Sequence, residues 1–485
     1  MGRQSAARRR GRVAGRRTRK RPLHLAKRPP NRLFALFGAR LGMSSAAAKS
    51  AVLTMTDQGF ASVSNFAVGV VVARLTGAAG LGAFALAYTA WILLINLHRG
   101  LITDPMAIFG DARDDDTEKV RQGFAAEVLL GVAAAGAVAV VGLVLVWNGW
   151  RTFGVGMLAL APWVPALNLQ DYWRWIGFMQ RRPDMSLAND AIFDVGQAAG
   201  FIVLFATGTH SVFAVISAWG FGATVGTVWG LRQFRIWPSL QGGFEMLRSR
   251  WHMSKWLVSS SVTSWGASSL AVVVIGGVLG PVALGGLKAA QALAWGPLAV
   301  IMQAGTSFGL PEASRALASH GWKGLRKVGL LISGSTFIIA ATSGVVLLVA
   351  GHTLLDVVYG RAFGRFDTAA VLSAVSYMIG ALALGPGLLL KAVKRTRALF
   401  ATQTVAVVIA VAGAVVLSLG FGVDGAAASA GVSGLWSLVA MLVFLSRSHP
   451  NAAAVRMEAP SQGIDDLGVG QPEPTTATSE LSSTQ

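Results

Sequence analysis

Apolar runs of about 20 residues recur along almost the whole chain, and no other feature constrains its fold so strongly. A hydrocarbon core of about 30 Å needs roughly 20 apolar residues in a helix. Because lipid offers no partner to unpaired backbone groups, such spans must be helical. The chain is 53% hydrophobic and 13% charged, whereas soluble chains carry about 25% charged residues. The sequence therefore predicts an all-α, polytopic membrane protein.

Twelve segments are long and apolar enough to be transmembrane helices. They are 51–75, 80–103, 123–147, 152–172, 187–206, 211–231, 253–279, 282–310, 325–350, 366–390, 397–420 and 423–446.

The distribution of Lys and Arg tests this count and orients the helices. With a cytoplasmic N-terminus, 20 basic residues beyond the first 49 fall on or near the inner side, and four fall on the outer side: Arg74, Arg151, Arg361 and Arg365. An excess of Lys and Arg is typical of cytoplasmic connections. The pattern predicts twelve helices that span the plasma membrane, with both termini in the cytoplasm.

The net charge of +20 is concentrated at the N-terminus, where residues 1–49 hold 15 of the 42 Lys and Arg residues and no Asp or Glu. Such a run cannot bury a core and is predicted to be disordered. Contact with anionic membrane lipid explains it better than nucleic acid does, and Met43 is an alternative start. The predicted organisation is a basic tail (1–49), an N-lobe of helices 1–6 (50–231), a basic linker (232–252), a C-lobe of helices 7–12 (253–447) and a disordered tail (448–485).

The absence of cysteine from the sequence excludes disulfides, thiol catalysis and Cys-ligated metals. Nothing resembles a metalloprotease helix, a Ser–His–Asp arrangement or a Walker A loop. The sequence therefore predicts no enzyme activity, no metal and no cofactor.

An internal repeat divides the helices into two sets. A shift of 204 residues aligns 64–91 with 268–295, and the identities include Leu75/Leu279, Gly82/Gly286 and Trp91/Trp295. Both segments contain two helices of the same direction joined by a short outer turn. The prediction is two parallel six-helix lobes, a plan in which transporters bind substrate at the interface of the repeats.

These features together resemble the multidrug/oligosaccharidyl-lipid/polysaccharide (MOP) flippase superfamily, with a MATE/MOP-like fold. The opening TDQGFASVSNFAVGVVVARLTGAAGLGAFALAYTAW is similar to the start of its polysaccharide-exporter (Wzx-like) branch. This resemblance covers about residues 50–447. It implies a secondary transporter that flips an undecaprenyl-pyrophosphate-linked oligosaccharide from the cytoplasmic to the outer leaflet by alternating access of the two lobes. Glycosyltransferases and a polymerase of cell-surface polysaccharide biosynthesis would be partners in the pathway.

Ionisable residues inside spans are functional candidates. Asn96 and Arg99 share one face of helix 2, and Lys288 and Gln291 lie on helix 8. Cations toward each end of a central cavity suit a pyrophosphate cargo, because Arg binds phosphate with two hydrogen bonds and Lys as a point charge. The resemblance implies cationic residues in helices 1, 2 and 8, which adds Arg74. Alternatively, Arg74, Arg99 and Lys288 are side chains that extend to the membrane interface and do not bind cargo.

A second group lies on helices 4 and 5. Asp171, Arg174 and Asp190 are predicted to form an ion-pair network that fixes these two helices against each other. Asp194, deeper in helix 5, is a candidate to carry a coupling proton or sodium ion.

Two other functions compete with the flippase. One is a multidrug or small-solute antiporter of the same fold, for which acidic residues in the N-lobe cavity would be the distinguishing feature. The other is a membrane glycosyltransferase or polysaccharide polymerase, which would need an acidic catalytic motif or a large outer loop. The longest outer connection here is about 15 residues, 351–365.

Overall fold

The computed structural model describes residues 45–109, 117–236 and 239–447. The chain divides into a short unit, Met1–Thr54, of which only helical residues 45–54 are described, and a large unit, Met55–Gln485. The predicted tail at 448–485 and nearly all of the tail at 1–49, including Met43, lie outside the described residues. All regular secondary structure in the described part of the chain is helical, as the hydropathy pattern predicts.

Single glycines divide the longest helices. Ser45–His98, Gly243–Tyr359 and Thr396–Ser446 each continue through one or two residues with non-helical backbone angles: Gly77, Gly280, Gly321 and Gly422. Division at these glycines gives twelve helices in the described residues. They are α1 (45–76), α2 (78–98), α3 (Thr117–Trp147), α4 (Arg151–Met179), α5 (Pro183–Thr207), α6 (Val212–Phe234), α7 (243–279), α8 (281–320), α9 (322–359), α10 (Asp367–Ala392), α11 (396–421) and α12 (423–446).

Length and apolar composition support membrane insertion of these helices. Counted without division at glycines, nine helices in the described ranges are long and apolar enough to cross a membrane. Three of the nine are 48 to 50 residues long, well beyond the roughly 20 residues that one span requires.

Glycines in the left-handed region mark the turns at matching places in the two lobes. The turns after α1, α3 and α5 contain Gly77, Gly149 and Gly208, and those after α7, α9 and α11 contain Gly280, Gly360 and Gly422, all with positive φ. Only glycine adopts this backbone conformation without strain. Gly77 and Gly280 also have similar ψ, −170° and −180°, so the turns after α1 and α7 match in backbone conformation, in agreement with two parallel six-helix lobes.

The two lobes cross at the N-terminal ends of α2 and α8, which are predicted to face outward, through backbone contacts. A Cβ on Gly82 would overlap the carbonyl oxygen of Pro281, and a Cβ on Gly285 would overlap that of Ala78. These two contacts are reciprocal and relate positions 203 residues apart, as do Gly77 and Gly280. The sequence shift of 204 is therefore wrong by one residue here, because identities in apolar helices arise easily by composition.

Local irregularities shape the N-lobe. α4 is interrupted by a 3₁₀ turn, Ala161–Trp163, that contains Pro162, and proline is a common cause of helix bending. α2 continues through a π-helical turn, Arg99–Thr103, into the short helix Asp104–Phe109. The glycines of α6 allow close packing, with Gly222 against α5 and Gly230 against Trp173 of α4.

α7 begins before the predicted lobe boundary. It starts at Gly243, so the second half of the predicted 232–252 linker is helical, and Gly243 packs on the backbone of α3. Farther along, Val258 contacts Gly100, and the indole Nε1 of Trp265 donates to the carbonyl oxygen of Thr89 at 3.1 Å. α7 therefore lies along α2 from its inner end to its middle.

Candidate functional site

A cavity of about 250 Å³ lies where the two lobes meet, toward the predicted external side, and is named the outer cavity. α1, α2 and α6 line one side, and α8 and α9 line the other. Lys288 of α8 faces this cavity and has no hydrogen-bond or ion-pair partner among the described residues. The remaining lining residues are mostly apolar or aromatic: Asn65, Val68, Gly69, Leu81, Phe84, Ala85, Tyr88, Thr89, Trp219, Ala289, Ala292 and Tyr359.

An inner cavity of about 260 Å³ lies within the N-lobe, toward the predicted cytoplasmic side. It shares Asn65, Tyr88 and Trp219 with the outer cavity. Trp91 packs on both of these aromatic rings, with centroid distances of 5.4 Å to Tyr88 and 5.1 Å to Trp219. This cluster of Tyr88, Trp91 and Trp219 is named the aromatic partition here, because it stands between the two cavities.

Arg99 forms a bidentate ion pair in the inner cavity. Its Nε and Nη2 donate to the two carboxylate oxygens of Asp171 at 2.8 and 2.5 Å. Asp171 is buried and the Arg99 side chain is 28% exposed. The guanidinium also lies over the Trp175 ring, 5.2 Å from its centroid. Asp171 therefore joins α4 to α2, whereas the sequence had predicted that it joins α4 to α5.

The other predicted members of this group also line the inner cavity. Arg174 Nε lies 3.0 Å from Asp190 Oδ2, so these two residues do connect α4 with α5. The carboxylate of Asp194 accepts hydrogen bonds from Ser64 Oγ at 2.6 Å and from the Gln197 amide. Asn96 points its amide back to its own helix and donates to the carbonyl oxygen of Ile92.

A buried polar group behind α2 was not predicted. His98 Nδ1 lies 2.6 Å from Glu127 Oε2, and the Asn168 amide contacts the same imidazole at 3.2 Å. Glu127 is 2% exposed. Because a buried carboxylate requires a partner, His98 holds the inner end of α2 against α3 and α4, one residue before Arg99.

Two candidate cargo contacts lie elsewhere. Arg74 lines neither cavity; its Nε donates to the carbonyl oxygen of Val358 at 2.9 Å and its Nη2 to that of Val357, so it caps the C-terminus of α9. Gln291 is also absent from the lining residues of both cavities. Arg74 thus connects the outer end of the N-lobe to the C-lobe.

Solved structures with similar folds are transporters. The lipid II flippase MurJ in an inward closed conformation superposes with a TM-score of 0.60 at 12% identity, over 82% of this chain and 87% of that one. An inward-facing multidrug resistance MATE family transporter of the MOP superfamily gives 0.57 at 15% identity, over 82% and 95%. A MATE structure in complex with MaL6 gives 0.54 at 13%, over 83% and 96%. No curated protein matches the chain in sequence.

The protein is thus a polytopic membrane protein with the fold of the MOP superfamily. Residues 191–368 match the family model described as "Polysaccharide biosynthesis protein". This match covers part of the chain and agrees with the resemblance to the polysaccharide branch, and the fold agrees with that of the MurJ and MATE structures. The families that the chain resembles are transporters rather than enzymes, which agrees with the prediction from the sequence.

Proposed function

We propose that this chain flips an undecaprenyl-pyrophosphate-linked oligosaccharide from the cytoplasmic to the outer leaflet of the plasma membrane. The lobes would be residues 50–231 and 253–447, and both termini would lie in the cytoplasm. Glycosyltransferases and a polymerase of the same pathway would supply the cargo and use it. The observation that carries the proposal is Lys288, a cation without a protein partner among the described residues, which faces a cavity between the two lobes.

An unpaired ammonium group inside a membrane protein is costly. The chain would gain stability from a carboxylate near Lys288, and the lining of the outer cavity contains none. A pyrophosphate would supply the missing counter-charge each time cargo is bound. In turn, Lys288 would offset part of the desolvation free energy, several kcal/mol, that it costs to move a phosphate out of water. The aromatic lining would contact the apolar or sugar parts of the same cargo.

Arg99 would serve as the inner contact by exchange of partners. The bidentate geometry that now engages Asp171 also suits a phosphate. While the cavity is empty, Asp171 keeps the guanidinium neutralised and in position. When the cargo enters from the cytoplasm, its pyrophosphate would compete for the same donors. Asp194 on α5 accepts a hydrogen bond from Ser64 on α1. It is the candidate to bind the coupling ion.

Flipping in proteoliposomes tests the role of Lys288. The substrate is a fluorescent undecaprenyl-pyrophosphate disaccharide, and the initial rate is measured for each variant at matched protein amounts. We expect Lys288→Ala to lose at least about tenfold in rate, equivalent to about 1.4 kcal/mol. Lys288→Arg should keep part of the activity because it retains the charge. Lys327→Ala, at an exposed site near the start of α9, is the control and should match the wild type.

A Lys288→Ala variant that flips the substrate at the wild-type rate would exclude this role for the residue. A wild-type protein that does not flip this substrate at all, under conditions in which its fold is intact, would exclude the proposed function.

The charges of the inner cavity favour a second candidate function, an antiporter for cationic drugs or small solutes. Three carboxylates line this cavity, on Asp171, Asp190 and Asp194, against the two guanidinium groups of Arg99 and Arg174. Acidic residues in the N-lobe are the feature expected for cation export. Uptake of ethidium into energised vesicles that is abolished by Asp194→Asn but unaffected by Lys288→Ala would support the antiporter over the flippase.

A further inference from the structure

The hydroxyl group of Tyr359 is buried without a hydrogen-bond partner. Tyr359 is 2% exposed, and its Oη has no partner among the described residues. A buried hydroxyl without a partner costs roughly 1–3 kcal/mol, so a partner that arrives from outside the chain would be bound with a gain. Tyr359 lines the same outer cavity as Lys288.

The contacts of Tyr359 hold its ring rigidly at the boundary of the lobes. The ring packs edge-on against Phe66 of α1, with centroids 6.2 Å apart, and lies 5.6 Å from the ring of Phe363. Tyr359 is the last residue of α9, and the two carbonyl groups just before it accept the hydrogen bonds of Arg74. A contact between α1 and α9 therefore fixes the ring of Tyr359 in the wall of the outer cavity.

We propose that Tyr359 binds the cargo: its hydroxyl donates a hydrogen bond to an oxygen of the phosphate group that pairs with Lys288. Arg74 is a positioning residue that acts through the end of α9. This inference rests on the proposed function and adds a donor from the C-lobe that the positions of charged residues do not reveal. A neutral donor is suited to this place, because it adds affinity for phosphate without a second buried charge.

Separation of the lobes would release this donor from its fixed position. The ring of Tyr359 depends on α1 through Phe66 and Arg74, so opening of the outer side would move α1 away from α9. The phosphate would then keep Lys288, which lies on α8, while the hydroxyl of Tyr359, whose ring is no longer held by α1, would lose its fixed position. Cargo affinity would fall as the cavity opens to the outside, which favours release there.

Binding to two lipids that share one tail tests the proposal. Dissociation constants for undecaprenyl pyrophosphate and for undecaprenol are measured by titration calorimetry with the purified full-length protein in detergent. Wild-type protein should prefer the pyrophosphate lipid by tenfold or more. Tyr359→Phe preserves both ring contacts, and it should weaken binding of the pyrophosphate lipid about tenfold while binding of undecaprenol is unchanged. Tyr377→Phe, in α10 outside both cavity linings, is the matched control.

The role of Arg74 predicts coupling between two substitutions. Arg74→Gln should also weaken binding of the pyrophosphate lipid, and the double variant Arg74→Gln/Tyr359→Phe should bind it no more weakly than Tyr359→Phe alone. Additive effects would show that Arg74 does not act through Tyr359.

The outcomes separate this inference from the proposed function. If Lys288→Ala weakens binding of the pyrophosphate lipid and Tyr359→Phe does not, Tyr359 is not a cargo contact and the proposed function stands. If wild-type protein binds both lipids equally, the anionic cargo is excluded and both proposals fall.

Discussion

At the scale of single residues, the described helices hold paired charges in the N-lobe and a cation without a described partner, Lys288, between the lobes. In the described N-lobe, Arg99 pairs with Asp171, and Arg174 pairs with Asp190. Burying both members of a pair costs desolvation that their attraction only partly returns, but removal of one member leaves an uncompensated charge. Each inner pair is therefore costly to break by removal of one member, whereas Lys288 has no counter-charge among the described residues.

Loss of Arg99 alone should destabilise the protein. Arg99→Gln leaves the buried Asp171 carboxylate without its guanidinium, and we expect a loss of about 3 kcal/mol in the free energy of unfolding. The double variant Arg99→Gln/Asp171→Asn should recover most of it, because no charge remains unpaired. Thermal unfolding in detergent measures both.

An exposed ion pair provides the comparison for this prediction. Arg121→Gln removes a guanidinium 2.5 Å from Glu118 at the start of α3, where both side chains are well exposed. Such exposed ion pairs contribute about 1 kcal/mol or less to the free energy of unfolding. Equal losses for Arg99→Gln and Arg121→Gln would show that the inner pair is effectively solvated.

The charged part of the site follows from the sequence, and the aromatic part does not. Arg99, Asp171, Arg174, Asp190 and Lys288 are recognisable because ionisable residues in apolar spans are rare. Their pairing is a matter of which helices touch, and helical periodicity gives only the face of each residue on its own helix. Tyr88, Trp219 and Tyr359 are ordinary residues in apolar helices until the two lobes place them around one cavity.

At the scale of helices, hydropathy predicted the number of segments but not how they connect. The sequence suggested short loops after α1 and α7, yet the helices continue through a single glycine at each place. The physical reason is that one residue with positive φ reverses the chain without further loop residues. Hydropathy averages over about 19 residues and therefore cannot detect an interruption of one.

The crossing of α2 and α8 should not tolerate a side chain. Gly82→Ala places a methyl group on the carbonyl oxygen of Pro281, which is backbone and cannot move aside. We expect separation of the outer ends and a loss of about 1–3 kcal/mol or more in stability. Gly136→Ala in α3 is the control, because its added Cβ would have no atom within 4 Å. Thermal unfolding of both variants decides the question, and equal stability would contradict the close approach.

At the scale of the whole molecule, orientation is a separate prediction from fold. Inner connections carry the basic residues, and the outer turns are reduced to single glycines or a few residues. We expect alkaline phosphatase fusions at Gly77, Gly208, Gly280 and Gly422 to be active. Green fluorescent protein fusions at Asp115, Gln241, Ser319 and Arg395 should be fluorescent.

Activity of a phosphatase fusion at any of these four cytoplasmic positions would reverse the orientation locally. A reversal confined to positions beyond 231 would contradict parallel lobes, because the two halves of the chain would then be inserted in opposite orientations. A reversal at all positions would leave the fold intact and exchange the two sides.

The reciprocal contact between Gly82 and Gly285 also has a consequence for descent. A single six-helix ancestor could have made this contact twice as a symmetric dimer, with one glycine serving both copies. Such a dimer would place identical residues on both sides of its cavity. Once fused, the two copies could diverge: Lys288 corresponds, 203 residues earlier, to Ala85, and both line the outer cavity. Under such a duplication the frame would remain symmetric, and a change in one copy would give Lys288, a single positive charge that a symmetric dimer would carry twice.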